Sequence, residues 1–325
     1  MWNVLQATDR PVVVGIDGRP DSEPALLWAM GAARAHRVPL RIVLVADAPE
    51  LQRYVPYRPP ENGETFMIPA HPVRHPSDDD LDRALAIARR RLPSGSVTGR
   101  RAPGSAATAL IEDSADAAVL VVGTRRRGPV AAATLGSVSA TVAAHARCPV
   151  VVVGTEPLAS TADLPVVAGI ADDRAADGVL DFAFREALAR RVPLNVIHAA
   201  RPDLGEARHP GDFFGGMVPA LGARLANYAS RYPGVPVTSH LSTSDAAEDL
   251  AAASARAQLV VVGSRGRGRV SGLVLGSVGQ RLLHDAHSPV AVVHPTRVRT
   301  PRRAVVRPAD SGTEGPVRAA AGGEE

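Results

Sequence analysis

The residues of this chain best suited to chemistry are glycines set among arginines and followed by a Gly-Ser pair. In Leu259-Val-Val-Val-Gly-Ser-Arg-Gly-Arg-Gly-Arg-Val-Ser-Gly-Leu-Val-Leu-Gly-Ser277 the spacing Gly263-x2-Gly266-x9-Gly276-Ser277 follows an apolar run, with Gly268 as a further glycine. Glycine lets a backbone turn tightly and approach a ligand with no Cβ in the way. The helical periodicity of Val278 to Ala286 places a helix N-terminus, with its unpaired N–H groups, behind Ser277. Amide donors, a hydroxyl and nearby guanidinium groups together suit a phosphate cradle. A second stretch, Val119 to Ser137, repeats the arrangement with Gly123, Gly128, Gly136 and Ser137. The competing reading of each is a plain strand-to-helix turn. The arginines at 125–127 and 265–269 are read equally well as solvated charge or as phosphate contacts.

Alternating strands and helices must position these loops. Pro11-Val-Val-Val-Gly-Ile-Asp17 predicts a buried first strand that ends in the turn Gly18-Arg-Pro20. A helix follows, with Leu26, Leu27, Met30 and Ala33 on one face, and then a strand from Ile42 to Ala46. Residues 47–77 are rich in proline and predict a long loop, which in a compact domain is usually functional or mobile. Asp78-Asp-Asp80 opens a helix that Arg89-Arg-Arg91 closes, the charge order a helix dipole favours. A weak strand at Val97-Thr98, a helix from Ser105 to Asp113, a strand from Val119 to Val122, a helix from Val138 to His145 and a strand from Val150 to Val153 complete the frame. Continuous apolar strands in β-α-β-α-β-α-β-α-β order predict an α/β fold with a parallel sheet covered on both faces.

The second half of the chain spells out the first again. Arg191-Val-Pro-Leu194 matches Arg37-Val-Pro-Leu40 at an offset of 154 (191 − 37). Further on the offset is 140: Gly123 pairs with Gly263, Gly136-Ser137 with Gly276-Ser277, and Pro149-Val150 with Pro289-Val290. The 14-residue contraction (154 − 140) falls between the second and third strands, where loops tolerate length change. This gives two tandem domains, 11–154 and 165–294, a linker at 155–164, and a tail at 295–325 whose Arg, Pro, Gly and Ala content predicts disorder.

Composition narrows the function class. The 325 residues contain no lysine, so every Lys+Arg count of the 37 is arginine, and the net charge is only +4. With aromatics at 3%, the cores are expected to be aliphatic and base-stacking platforms are scarce, so nucleic-acid binding is not expected. Cys148 is the single cysteine, which precludes an intrachain disulfide, and its place before a strand suits a half-buried structural thiol. No signal peptide and no transmembrane run is evident, which leads to the expectation of a cytoplasmic protein without membrane contact. The histidines are scattered, and none has partners that suggest a metal site.

Gly263-x2-Gly266-x9-Gly276-Ser277 and its counterpart from Gly123 to Gly136-Ser137, each behind a Val-rich strand, with Val12-Val-Val-Gly-Ile-Asp17 at the opening and Ser288-Pro-Val-Ala-Val-Val293 at the close, resemble the universal stress protein family over about residues 11–294. The resemblance implies a five-stranded parallel sheet of order 3-2-1-4-5 in each half, with the halves joined along their last strands as a pseudo-dimer. It also implies ATP over the carboxyl ends of strands one and four, with Mg2+ as an accompanying ion. Carried onto this chain, Asp17 would contact adenine or ribose, and Gly15 and Val45 would line the base. Gly123, Arg127, Gly128, Gly136 and Ser137 would hold the phosphates of the first half. The second-half equivalents are Gly169, Ala199, Gly263, Gly266, Arg267, Gly268, Gly276, Ser277 and Val278.

The halves depart from that pattern in opposite ways. In the first, the middle glycine is Arg126, although Gly128 or Arg127 can take over the turn; in the second, Ala171 stands where the first has Asp17. The cradle is intact where the aspartate is gone, so zero, one or two ATP per chain remain open. A Gly-Lys-Ser/Thr P-loop and a GxGxxG dinucleotide motif are both absent, and no catalytic constellation is found. The expected function is that of an ATP-binding regulator or sensor in stress response, acting through an unidentified protein partner and able to form a homodimer of the tandem chain. It is not expected to be an enzyme, beyond slow ATP hydrolysis. Two alternatives stand beside it: a degenerate scaffold that binds no nucleotide, and an adenylyl-transferring enzyme, which the missing His-x-Gly-His signature disfavours.

Overall fold

The computed structural model describes residues 10–45, 54–57, 65–69, 76–124, 136–154, 163–171, 175–199, 210–242, 244–264 and 275–295; at 54–57, 66–69 and 210–217 only the backbone is described. Arg126, Arg127, Gly128, Asp172, Gly266, Arg267, Gly268, most of the 155–164 linker and the chain beyond Pro295 lie outside the described residues. Both repeats belong to one unit that ends at Pro295.

The first repeat runs β1 (Val12–Ile16), a 3-10 turn (Pro20–Ser22), α1 (Glu23–His36), β2 (Leu40–Val45), a hairpin of β3 (Tyr54–Tyr57) and β4 (Phe66–Pro69), α2 (Asp78–Arg89), β5 (Val97–Ala102), α3 (Ala106–Asp113), β6 (Val119–Gly123), α4 (Ser137–His145) and β7 (Val150–Val153). The second runs β8 (Val166–Ile170), α5 (Ala176–Arg190), β9 (Leu194–Ala199), α6 (Pro210–Arg231), β10 (Val237–Ser242), α7 (Ala246–Ser254), β11 (Leu259–Gly263), α8 (Ser277–Asp285) and β12 (Val290–Val293). Ten strands form one sheet in the order β10-β9-β8-β11-β12-β7-β6-β1-β2-β5. Each half is therefore 3-2-1-4-5. Neighbouring strands are parallel within each half, and β12 meets β7 antiparallel.

The inner strands are Val- and Leu-rich because both their faces are covered. Alternate residues go to opposite sides. Val12, Val14 and Ile16 join Leu26, Leu85, Leu180 and Tyr228 in the core under α1, α2, α5 and α6. Val13, Leu120 and Val122 join Leu110, Val142, Leu250 and Leu282 under α3, α4, α7 and α8. Each core takes residues from both repeats, so the hydrophobic interior is continuous through the β7–β12 seam.

The repeated Arg-Val-Pro-Leu has a local cause. Arg37 and Arg191 are the C-caps of α1 and α5, in the left-handed region at φ 56° and φ 59°. Val38 and Val192 then donate back to Ala33 and Ala187, at 3.0 and 3.1 Å. The chain thus turns from helix into the next strand within two residues, a C-cap geometry that glycine more commonly provides. A second repeated device ties the far face. Ser114, fully buried, donates to the carbonyl of Ile111 and accepts from the N–H of Arg147; Ser254 does the same with Ala251 and His287.

Four expectations change. The long loop at 47–77 contains the β3–β4 hairpin, with Tyr54 opposite Pro69. The weak strand at Val97-Thr98 is a full edge strand to Ala102. The cores are not wholly aliphatic: the one under α1, α2, α5 and α6 gathers aromatics, with Phe184 stacked at 5.5 Å on both Tyr228 and Tyr232. The two tyrosine hydroxyls donate to the Asp177 carbonyl and the Asp181 carboxylate, so α6 is fastened to α5 by polar tips as well as by ring packing. Cys148 is buried rather than half-buried, and burial pushes its thiol up to about 12, which leaves it a structural residue.

Candidate nucleotide site

In an open α/β sheet a ligand crevice forms outside the carboxyl ends of the strands, where the order reverses. In the first half that point lies between β1 and β6, which run in register with Gly15 beside Val122. Asp17 is the first residue past β1. Its Oδ1 accepts the Arg19 N–H at 3.1 Å and its Oδ2 lies 3.8 Å from the Arg19 guanidinium, while the side chain is 20% exposed. The chain then turns at Gly18, where φ is +71° and a Cβ would fall 2.7 Å from the Asp80 carboxylate. Glycine is required there on both counts. Asp80 is itself buried as the second member of a capping box, its Oδ2 accepting from the N–H and Oγ of Ser77.

The end of β6 lies under the 3-10 turn, since a Cβ on Gly123 would be 3.6 Å from the Asp21 carbonyl and 3.8 Å from Ala25. Thr124 follows and donates its N–H to Val153 of β7 at 2.9 Å. Its hydroxyl oxygen is buried and has no hydrogen-bond partner among the described residues. A buried hydroxyl left so is costly unless something reaches it. Ser139, one turn into α4, donates to the Gly123 carbonyl at 2.7 Å, which brings the N-terminus of α4 against the end of β6. Gly136 is the N-cap and offers no side chain to the first amides of α4. Those amides are the donors an anion would use.

The second half repeats this with other ties. Ser264 donates its N–H to Val293 at 2.8 Å, and its carbonyl accepts the Gly276 N–H at 3.0 Å. Gly263, Ser264, Gly276 and Ser277 are thus gathered at one place, with Gly276 the unsubstituted N-cap of α8. Ala171 follows β8 where the first half has Asp17, and Ala199 closes β9. Val278 sits in the first turn of α8 as Val138 does in α4.

Gly15 and Gly169 have an explanation other than lining a base. A Cβ on Gly15 would meet Leu110 at 2.8 Å, and one on Gly169 would meet Leu250 at 2.5 Å. Both glycines admit a leucine from the helix that packs over the strand, α3 or α7. Val45, buried at the end of β2, belongs to the same core as Leu110. Sequence reasoning missed Thr124, Ser139 and Ser264. The 140-residue offset that pairs Thr124 with Ser264, each behind the last strand glycine, was the signal that could have found the first and third. Among the described residues no group of three or more His, Cys, Asp or Glu is placed to hold a metal. No described helix is long and apolar enough to cross a membrane.

The model of the universal stress protein family matches residues 9–154 and again 165–294. The universal stress protein Rv2623 of Mycobacterium tuberculosis is 35% identical over 289 residues, covering 86% of this chain and 95% of that protein. Among solved structures, a universal stress protein from Archaeoglobus fulgidus superposes with a TM-score of 0.59 at 18% identity, over 89% of this chain and 97% of its own, a likeness of fold alone. A shorter universal stress protein from the same organism, in complex with dAMP, covers 40% of the chain at a TM-score of 0.32 and 24% identity, too partial a match to bear on this chain's ligand. Two family matches in tandem, on a sheet that is 3-2-1-4-5 twice over, leave one conclusion: the chain belongs to the universal stress protein family and carries its domain twice.

Proposed function

We propose that this protein is an ATP-binding regulator of the stress response, with the nucleotide lying over the carboxyl ends of β1 and β6, of β8 and β11, or of both pairs. The observation that carries the reading is the convergence in the first half. Asp17, the buried hydroxyl of Thr124 with no partner among the described residues, and the uncapped N-terminus of α4 all border the end of one strand pair. The amides of α4 or α8, with Ser137 or Ser277, suit phosphate oxygens; Asp17 suits a ribose hydroxyl or the adenine amine, both donors to a carboxylate. Mg2+ would enter on the phosphates, because no cluster of ligating side chains stands among the described residues to hold it. Arg127, Gly128, Gly266, Arg267 and Gly268 belong to the proposed phosphate loops. Occupancy would be sensed by a protein partner through the loops or the sheet edges.

The test is the nucleotide content of the purified chain. Denaturation followed by anion exchange of the supernatant should release an adenine nucleotide, and calorimetry on the stripped protein should show ATP binding. A clean supernatant together with no heat of binding would support the second reading, a scaffold acting through protein contacts. That reading draws on Ala171, which removes the carboxylate from one of the two sites.

A further inference from the structure

Across the seam between the two repeats, α1 and α5 enclose a charged cluster that the nucleotide reading does not use. Glu186 of α5 is 3% exposed. Its Oε1 accepts from or pairs with His36 Nε2 of α1 at 2.8 Å, and its Oε2 pairs with Arg190 one turn along α5. The Arg190 guanidinium lies 5.2 Å from the centre of the Trp28 ring on α1. One carboxylate therefore receives a basic group from each half.

The repeat shows why one carboxylate matters. In the β7–β12 pair, Val151 is opposite Ala291, and these are the same position of the repeat (151 + 140). A local twofold axis therefore runs through that pair. At the α1–α5 offset of 154, Glu186 corresponds to Ala32, Arg190 to His36 and Phe182 to Trp28. The twofold mate of the His36–Glu186 contact is an Arg190–Ala32 contact, where no acid stands. Ala32 is 1% exposed, so the seam is closed around a single acid.

We propose that this cluster makes the two repeats pair with each other rather than each with its own kind in a second copy of the chain. Two first repeats brought together by the same twofold would put two His36 and two Ala32 at the seam, with no acid for either base. Two second repeats would bring two Glu186 and two Arg190 to the seam, two charged pairs to bury in place of one acid shared by two bases. Only unlike repeats give one carboxylate to two bases. Buried polar groups that fix pairing at some cost in stability are the best attested use of such clusters.

The test moves the acid across the axis in the full chain. Glu186→Ala should lower the unfolding midpoint by about 5 °C or more. Light scattering over a concentration series should then show the double-mass species rising about tenfold over the parent chain. Ala32→Glu combined with Glu186→Ala places the acid four residues before His36 and, by the twofold, beside Arg190, and should return both readings toward the parent. Should Glu186→Ala not fold, Glu186→Gln keeps the volume, removes the charge and should raise the double-mass species in the same direction. The proposal is overturned if Glu186→Gln or Glu186→Ala keeps the parent's mass distribution, or if the transposed variant behaves no better than Glu186→Ala.

Discussion

Val151 and Ala291 face each other across the β7–β12 seam, both fully buried, and they occupy the same position in the two repeats. The antiparallel register is thus centred on a twofold within one chain, and the two cores run through it without a break. Such a sheet should unfold as one cooperative unit. Calorimetry should show a single transition for the parent chain. Val151→Asp, an unpaired carboxylate at the axis, should cost about 4 kcal/mol or more and separate the melting of the repeats into two transitions. Two transitions in the parent would mean the halves are only tethered.

Glu186 ties stability to pH. Burial alone would raise its carboxyl, but Arg190 and His36 more than offset that and hold it at about 2, against an ordinary value of 4.5. A folded value below the unfolded one means that the stabilisation is fully present above about pH 4.5. It is lost as pH falls from there toward 2, because the unfolded chain takes up the proton first. The shift corresponds to an order of about 3 kcal/mol. Urea midpoints should therefore fall more steeply between pH 5 and pH 3 in the parent than in Glu186→Gln. Parallel curves would show that the cluster contributes no such linkage.

Leu110 and Leu250 set the size of the residue beneath them. Gly169→Ala would place a Cβ 2.5 Å from a methyl of Leu250, which is 2% exposed and held by its own neighbours. The strain should cost about 1–3 kcal/mol. Combining Gly169→Ala with Leu250→Ala should cost less than the sum of the single changes, a coupling of about 1 kcal/mol or more. Additive changes in the denaturation midpoint would show that Leu250 simply swings aside.

What the sequence disclosed and what it hid differ by range of interaction. The inner strands were legible because Val12–Ile16, Val119–Gly123 and Val150–Val153 are apolar without interruption, as burial on both faces demands. The edge strand Val97–Ala102 was faint because only Val97 and Ala102 of its six residues are buried, so no alternation marks it. The β3–β4 hairpin was hidden by proline, which ordinarily argues against a strand. Asp17 and the Gly-Ser pairs were readable as local motifs. Glu186 was not, because its meaning depends on His36, 150 residues away, and the packing reason for Gly15 was hidden because Leu110 is invisible in a linear reading.

The unequal ends of β1 and β8 lead to the last prediction. Asp17 stands at the first and Ala171 at the second, while the loop that follows β6 has Arg126 where the loop after β11 has Gly266. If ribose or adenine contact limits affinity, Asp17→Ala should weaken ATP binding about tenfold, a loss of about 1.4 kcal/mol that is ordinary for a hydrogen bond to a charged group. Gly266→Val should then leave affinity unchanged. If the cradle limits affinity, the order reverses: Gly266→Val abolishes binding, Asp17→Ala is silent, and Arg126→Gly adds a second equivalent of bound nucleotide. Titration calorimetry on the three single variants separates the cases by affinity and stoichiometry. We expect the second pattern, since a lost base contact weakens a nucleotide site whereas a side chain thrust into a phosphate cradle closes it. Silence of all three variants against a parent that binds ATP would place the nucleotide away from both strand ends.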